Sequence, residues 1–156
     1  MKKSLKLYID TSVWNFALEH DRQDSIIANE FIRLLKGDEY KVIVSNIVKA
    51  EIDEASEPRK SDLIRLLTLT NAEILKVTEE ALNLAEVYLK EGLIAHRYFN
   101  DAVHIAIATV NRCNALVSWN FKHIVRARVI MEVHHLNHRE GYGLIEIVSP
   151  RVFLGK

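Results

Sequence analysis

The sequence predicts an α/β/α fold, with three layers around a central, mostly parallel sheet. Short apolar segments of strand length alternate along the chain with amphipathic segments of helix length, which is the pattern of a doubly wound α/β fold. Hydrophobic residues make up 49% of the 156 residues, enough to bury a core at that length. We therefore expect a single domain over residues 1–156.

The first half of the chain supplies the start of the sheet. Apolar residues 5–9 predict a strand, and Thr11 or Ser12 can begin the next helix. The β-branched run 42–44 predicts a second strand, and the residues around it have helical spacing. Strands are predicted at 5–9, 41–45 and, as an edge strand, 72–77. Helices are predicted at about 12–18, 25–36, 47–56 and 60–68.

The second half of the chain begins with a predicted helix that has two acids, Glu79 and Glu80, in its first turn. Acids at that end interact favourably with the helix dipole. The next helix, predicted at about 101–111, is apolar on most of its sides, so we expect it to be buried. A last strand leads to Pro150. Helices are predicted at about 78–91, at about 101–111 and from Asn120 onward. Strands are predicted at 115–118 and 144–148.

Charge and cysteine content limit the possible functions. Lys plus Arg equals Asp plus Glu, 21 each, which argues against a general nucleic-acid coat but permits a local basic rim. Cys113 is the only cysteine, so no internal disulfide can form, which suits a reducing compartment, expected to be the cytoplasm. The start of the chain lacks the long apolar region of a signal peptide, and no apolar run reaches transmembrane length.

Four oxygen-bearing side chains are predicted to meet at the carboxyl side of the sheet. Asp10 ends the first strand, Glu51 lies in the helix after the second, Asp101 opens the buried helix, and Asn120 follows strand 115–118. Acids gathered there repel each other unless a cation binds, and oxygen ligands without thiolates suit Mg²⁺ or Mn²⁺. Each residue also has a simpler interpretation, as a helix cap or a solvated helix acid.

Further residues near these acids allow two interpretations each. His104 lies three positions after Asp101 on nearly the same helix face, so it either supports the acids by hydrogen bonding or is a buried core histidine. The basic residues that follow Asn120 form either a phosphate-contacting edge or a solvated helix face, namely Lys122, His123, Arg126 and Arg128.

Two weaker patterns concern aromatic and histidine side chains. Arg97 and Tyr98, just before Asp101, could contact RNA by charge and stacking. His134 and His138 have the i,i+4 spacing of a zinc pair, but no cysteine or fourth ligand accompanies them, so surface histidines are the simpler interpretation.

Four short motifs follow one another in a recognisable order. They are Tyr8-Ile9-Asp10-Thr11-Ser12, Ser45-Asn46-Ile47-Val48-Lys49-Ala50-Glu51-Ile52, Asn100-Asp101-Ala102-Val103-His104-Ile105-Ala106 and Leu116-Val117-Ser118-Trp119-Asn120-Phe121-Lys122-His123. Over nearly the whole chain, their order and spacing resemble the PIN-domain ribonucleases, which include the VapC-like toxins of prokaryotic toxin–antitoxin pairs. The Ser-Trp-Asn-Phe-Lys-His segment and the segment 145–150 resemble one PIN subgroup.

The resemblance implies metal-dependent cleavage of single-stranded RNA. By motif position, Asp10, Glu51 and Asp101 would be catalytic and would hold Mg²⁺ or Mn²⁺, and Ser12 would support them through a hydrogen bond to Asp10 or to a bound water. Asn120 stands where many relatives have aspartate, so it would bind a cation weakly or through water. The implied partners are single-stranded RNA, a cognate antitoxin and a second copy of the chain, with no membrane.

Two other functions remain open at this stage. Because of Asn120, the chain could be a catalytically weakened PIN-fold module that binds RNA or a protein. A phosphate-transfer or receiver-like domain would use similar strand-end acids, but none of the five glycines forms a P-loop.

Overall fold

The computed structural model describes residues 4–19 and 23–155. The expectations for the first three residues and for the polar segment at Asp21 therefore lie outside the described residues. The strands are β1 (Leu5–Ile9), β2 (Tyr40–Ser45), β3 (Glu73–Leu75), β4 (Ala115–Val117) and β5 (Glu146–Val148). The helices are α1 (Thr11–Ala17), α2 (Gln23–Leu35), α3 (Asn46–Asp53), α4 (Arg59–Leu69), α5 (Glu79–Lys90), α6 (Phe99–Val110), α7 (Ala127–Arg139) and α8 (Arg151–Leu154), with a 3-10 turn at His96–Tyr98.

The strands form a parallel sheet in the order β3-β2-β1-β4-β5. Parallel neighbours need right-handed crossovers, so the helices between β1 and β3 cover one face and those between β3 and β5 cover the other. The predicted α/β/α architecture is confirmed, and the segment predicted as an edge strand lies at one edge of the sheet.

The core fills both sides of the sheet in one continuous cluster. Trp14 is fully buried and its indole Nε1 donates to the Ile9 carbonyl at 3.4 Å. The predicted core stripe of α5 is buried at every position, namely Ala81, Leu84, Ala85, Tyr88 and Leu89. Cys113 is also buried, and burial raises the pKa of its thiol to about 11, as expected for an inert cysteine.

The prediction of a helix from Asn120 is wrong, because α7 begins only at Ala127. The Asn120 side-chain oxygen accepts from the backbone N–H groups of Lys122 and His123, and the Asn120 carbonyl accepts from residues 124 and 125. An asparagine side chain that competes for backbone donors favours a turn over a helix. The short helix α8, which packs against α2, was not predicted.

The centre of the sheet has a topological switch point. Ile9 pairs with Val117, so β1 and β4 end side by side, while the connections that leave them run to opposite faces. In open α/β sheets, ligands bind in the crevice outside the carboxyl ends of such strands. Within the part of the chain that the structure describes, no helix has the length and apolar character needed to cross a membrane.

Candidate active site

Asp10 lies at this switch point and is only 3% exposed. Its Oδ1 accepts from the backbone N–H and the hydroxyl of Ser12, so Asp10 caps α1, as the simpler interpretation expects. Its Oδ2 accepts from the Ser118 hydroxyl at the end of β4. Burial raises the pKa of the Asp10 carboxyl, and the nearby His104 and the two hydroxyls oppose this rise. A buried, destabilised carboxylate of this kind favours a cation.

Two serine hydroxyls join the ends of β1 and β4 around Asp10. The Ser12 Oγ accepts from the backbone N–H of Trp119 at 2.8 Å, and the Ser118 Oγ accepts from that of Asn120 at 2.9 Å. Because each hydroxyl also donates to Asp10, the carboxylate is held from both strands. Its position is therefore set before any ligand binds.

Glu51 on α3 reaches the same region and contacts a buried histidine. The His104 Nε2 lies 3.0 Å from Glu51 Oε1, and the His104 Nδ1 lies 2.7 Å from the Tyr8 hydroxyl. The Tyr8 hydroxyl lies 2.8 Å from the Ser45 Oγ. His104 is 3% exposed, so both sequence interpretations hold: it is a core histidine that also contacts an acid. Burial raises the pKa of the Tyr8 hydroxyl well above its usual value.

Asp101, in the first turn of α6, also pairs with a histidine. The His123 Nδ1 lies 3.0 Å from Asp101 Oδ2, and the His123 ring stacks on Tyr98 with centroids 3.8 Å apart. Burial raises the pKa of the Asp101 carboxyl, while His104 and His123 act in the opposite direction. His123, predicted either as a phosphate contact or as part of a solvated helix face, pairs with an acid in the structure.

Asn120 is occupied by its own turn. Its Oδ1 already accepts two backbone N–H groups, from Lys122 at 3.2 Å and from His123 at 2.9 Å. The side chain still lines the cavity that the three acids share. This arrangement suits a structural cap first and a weak or water-mediated ligand second.

The residues expected at a basic edge lie beside this turn. Lys122 and Arg126 are exposed, and the Arg126 guanidinium donates to the Lys122 carbonyl at 3.3 Å. The Arg97 guanidinium lies 5.1 Å from the Tyr98 ring centroid. The His134 Nε2 lies 2.9 Å from the Ile145 carbonyl oxygen, so this nitrogen is engaged by the backbone and is not a free zinc ligand.

The three acids border one cavity of about 230 Å³. It is lined by Asp10, Thr11, Ser12, Asn15, Glu51, Asp101, His104 and Asn120. Among the described residues, no three histidine, cysteine or acidic side chains are close enough to form a ready metal cluster. The donors nevertheless fit a hard cation, because they are oxygens and each histidine contacts only one oxygen of its carboxylate. Thr11 also lines this cavity, and its buried hydroxyl has no hydrogen-bond partner among the described residues.

Sequence reasoning missed four contributors: Thr11, Ser118, Tyr8 and Ser45. Ser118 follows β4 as Asp10 follows β1, so the rule about strand ends could have identified it. The sequence indicates a strand core residue at Tyr8 and a helix cap at Ser45. In the structure Ser45 does cap α3. No sequence signal shows that Tyr8 contacts His104 or that Ser45 contacts Tyr8.

Comparisons with known proteins agree with this fold. The PIN domain family model matches residues 7–126. VapBC2 from Rickettsia felis, solved bound to a DNA fragment from its promoter, is similar in fold, with a TM-score of 0.60, 16% identity, and 93% of this chain and 98% of that chain covered. DNA-bound VapBC from Salmonella typhimurium gives a TM-score of 0.58, 17% identity, and coverage of 94% and 98%. No curated protein sequence matches.

At these identities the two structures support the fold alone, whereas the family match covers most of the chain. The narrower subgroup, marked by the motif at residues 118–123, stays a prediction. PIN domains are nucleases and generally depend on divalent metal ions. The chain belongs to the PIN-domain family.

Proposed function

We propose that this protein is a metal-dependent endoribonuclease that cleaves single-stranded RNA, and that it is the toxin of a type II toxin–antitoxin pair. The observation that carries the proposal is the buried Asp10, at the switch point between β1 and β4, on a cavity shared with Glu51 and Asp101. The family supports nuclease chemistry, and the oxygen donors of the cavity support Mg²⁺ or Mn²⁺.

Asp10, Glu51 and Asp101 would hold the cation, with Asn120 as a weak or water-mediated ligand. When bound, the cation would supply an activated water and neutralise phosphate charge. Three carboxylates close to one cavity would otherwise repel each other and the RNA backbone.

The remaining residues position the acids and the substrate. Ser12 and Ser118 hold Asp10 in place from two strands. Lys122 and Arg126, exposed beside the cavity, would contact RNA phosphates and draw the strand toward the acids. His123 would orient Asp101 and present a ring, already stacked on Tyr98, next to the substrate.

Cleavage of single-stranded RNA in Mn²⁺ by wild type and by Asp10→Asn tests the proposal. We expect Asp10→Asn to reduce the cleavage rate by at least about a hundredfold, because the substitution removes the buried charge that faces the cation. Asp38→Asn makes the same chemical change at an exposed position before β2 and should cleave like the wild type. Metal-dependent cleavage retained in pure, folded Asp10→Asn would overturn the role of Asp10.

The toxin assignment is supported by the fold, which both VapBC complexes share. A cognate antitoxin would bind this chain and block cleavage, and the chain would pair as a homodimer. Expression of the chain alone should arrest growth of the host, and co-expression of the neighbouring small reading frame should restore it. Arrest by Asp10→Asn at equal expression would contradict a toxin that acts through RNA cleavage.

A second candidate function is favoured by Asn120, whose side-chain oxygen is engaged by two backbone donors. A module that binds RNA without cutting it would show tight RNA binding with no cleavage in Mg²⁺ or Mn²⁺. Asn120→Asp keeps an oxygen acceptor for the turn and adds a charge at the cavity. A gain of cleavage in this variant would show that the metal site is weakened at residue 120.

A further inference from the structure

A chain of hydrogen bonds, buried at its centre, runs from the backbone of α3 back to the acid on the same helix. The Ile47 N–H donates to the Ser45 Oγ at 3.2 Å, and the Ser45 Oγ lies 2.8 Å from the Tyr8 hydroxyl. The Tyr8 hydroxyl lies 2.7 Å from the His104 Nδ1, and the His104 Nε2 lies 3.0 Å from Glu51 Oε1. We call Ser45, Tyr8 and His104 the tyrosine relay.

The direction of these bonds follows from the end that faces Glu51. An ionised carboxylate can only accept, so the proton of a neutral His104 ring must lie on Nε2. Nδ1 then carries a lone pair and must accept from the Tyr8 hydroxyl. With its own proton used in this way, the Tyr8 oxygen accepts from Ser45, whose oxygen in turn accepts from Ile47. Every donor in the relay has one acceptor.

We infer that His104 is a positioning residue for Glu51, to which its Nε2–H donates, and that the tyrosine relay holds the His104 ring in place. This inference rests on the proposed function for the role of Glu51 as a cation ligand. The Glu51 side chain is 34% exposed, and a glutamate of that exposure loses rotamer freedom when it binds an ion. A buried imidazole that fixes one carboxylate oxygen beforehand reduces this loss, as hydrogen-bond partners of metal ligands generally do.

Mn²⁺ binding to the full chain, measured by calorimetry with the metal alone, tests the relay. Tyr8→Phe keeps the ring but removes the donor to Nδ1, so we expect about tenfold weaker binding. The matched control is Tyr88→Phe, which removes another buried hydroxyl, one that donates to Asn137. It should lose stability but bind Mn²⁺ like the wild type.

Two substitutions of His104 separate positioning from packing. His104→Gln can accept from Tyr8 and donate to Glu51, whereas the shorter side chain of His104→Asn can pair with Tyr8 but not reach Glu51. We expect His104→Asn to bind Mn²⁺ up to about a hundredfold more weakly than wild type, and His104→Gln to recover part of that loss. Equal affinity of Tyr8→Phe and Tyr88→Phe, or no difference between the Gln and Asn variants, would overturn the inference.

Nitrogen NMR of the wild-type protein tests the tautomer without metal. We expect a protonated Nε2 and an unprotonated Nδ1 for His104. A protonated Nδ1 in the wild type would overturn the relay. Failure of the wild type to bind Mn²⁺, by contrast, would count against the proposed function, so the two failures are distinguishable.

Discussion

Two acids of the same cavity, Glu51 and Asp101, are each paired with a histidine, and the pairs differ in what lies behind the histidine. Both pairs have a nitrogen–oxygen distance of 3.0 Å. The His104 side chain is 3% exposed and its second nitrogen is bound to a buried tyrosine, whereas the His123 side chain is 24% exposed and stacks on Tyr98. The same contact can therefore be a rigid part of the core or an adjustable part of the surface.

This difference suggests that the two acids, Glu51 and Asp101, have different roles at the proposed site. Glu51, backed by the tyrosine relay, would keep its place whether or not substrate is bound. Asp101, backed by the exposed turn that also carries Lys122, would respond to RNA bound at the basic edge. The burial of the histidine accounts for this difference, because a buried polar group without a partner costs far more free energy than an exposed one.

The largest expected effect is on stability when each histidine is replaced by leucine. His104→Leu removes the buried ring nitrogen that pairs with the Tyr8 hydroxyl and should lower the free energy of unfolding by about 2 kcal/mol. His123→Leu breaks a half-exposed pair and should cost less than about 1 kcal/mol. Urea unfolding of both variants in EDTA measures the difference.

Cys113 offers an independent readout of the same comparison. Its thiol is buried and its pKa is raised to about 11, so labelling at neutral pH should require the protein to open. His104→Leu should speed labelling, and His123→Leu should leave it near the wild-type rate. Equal rates in the two variants would show that the two pairs contribute alike.

A smaller effect is expected from pH in the metal-free protein. Burial raises the pKa of Asp10 and of Asp101, so in the pH range above the usual aspartate value of about 4 the native state binds more protons than the unfolded state. Stability should therefore fall as pH rises through the raised pKa values. Melting curves in EDTA should show a shallower fall for Asp101→Asn than for wild type, and Mn²⁺ should oppose the fall. An identical pH dependence in both proteins would contradict a raised pKa at Asp101.

The smallest effect on the fold is expected at the basic edge. Lys122→Ala and Arg126→Ala change exposed side chains, so stability should stay within about 0.5 kcal/mol of wild type. RNA binding should weaken, and each change should reduce the slope of log affinity against log salt by about 0.7. Titrations of a non-cleaved RNA at several salt concentrations test this, with Arg112→Ala, exposed between α6 and β4 at the amino end of that strand, as a charge-matched comparison.

The order of elements and the positions of the acids could be predicted from the sequence, since both depend on local spacing. Apolar periodicity located the strands to within a few residues and the helices other than α7 and α8. The strand-end position of Asp10 and the helix-start position of Asp101 followed from their neighbours in the chain. The turn at Asn120 could not be predicted, because a capping asparagine and a turn-forming asparagine look alike until the backbone donors are known.

What the sequence determined by itself is the set of strand-end acids and the family pattern that contains them. Only the tertiary structure decided which groups hold those acids. His104 meets Glu51 across 53 residues, and His123 meets Asp101 across 22. Ser118 reaches Asp10 because β1 and β4 are adjacent in register. The physical reason is that side-chain spacing along one helix or strand is fixed locally, whereas pairing between elements depends on how they pack.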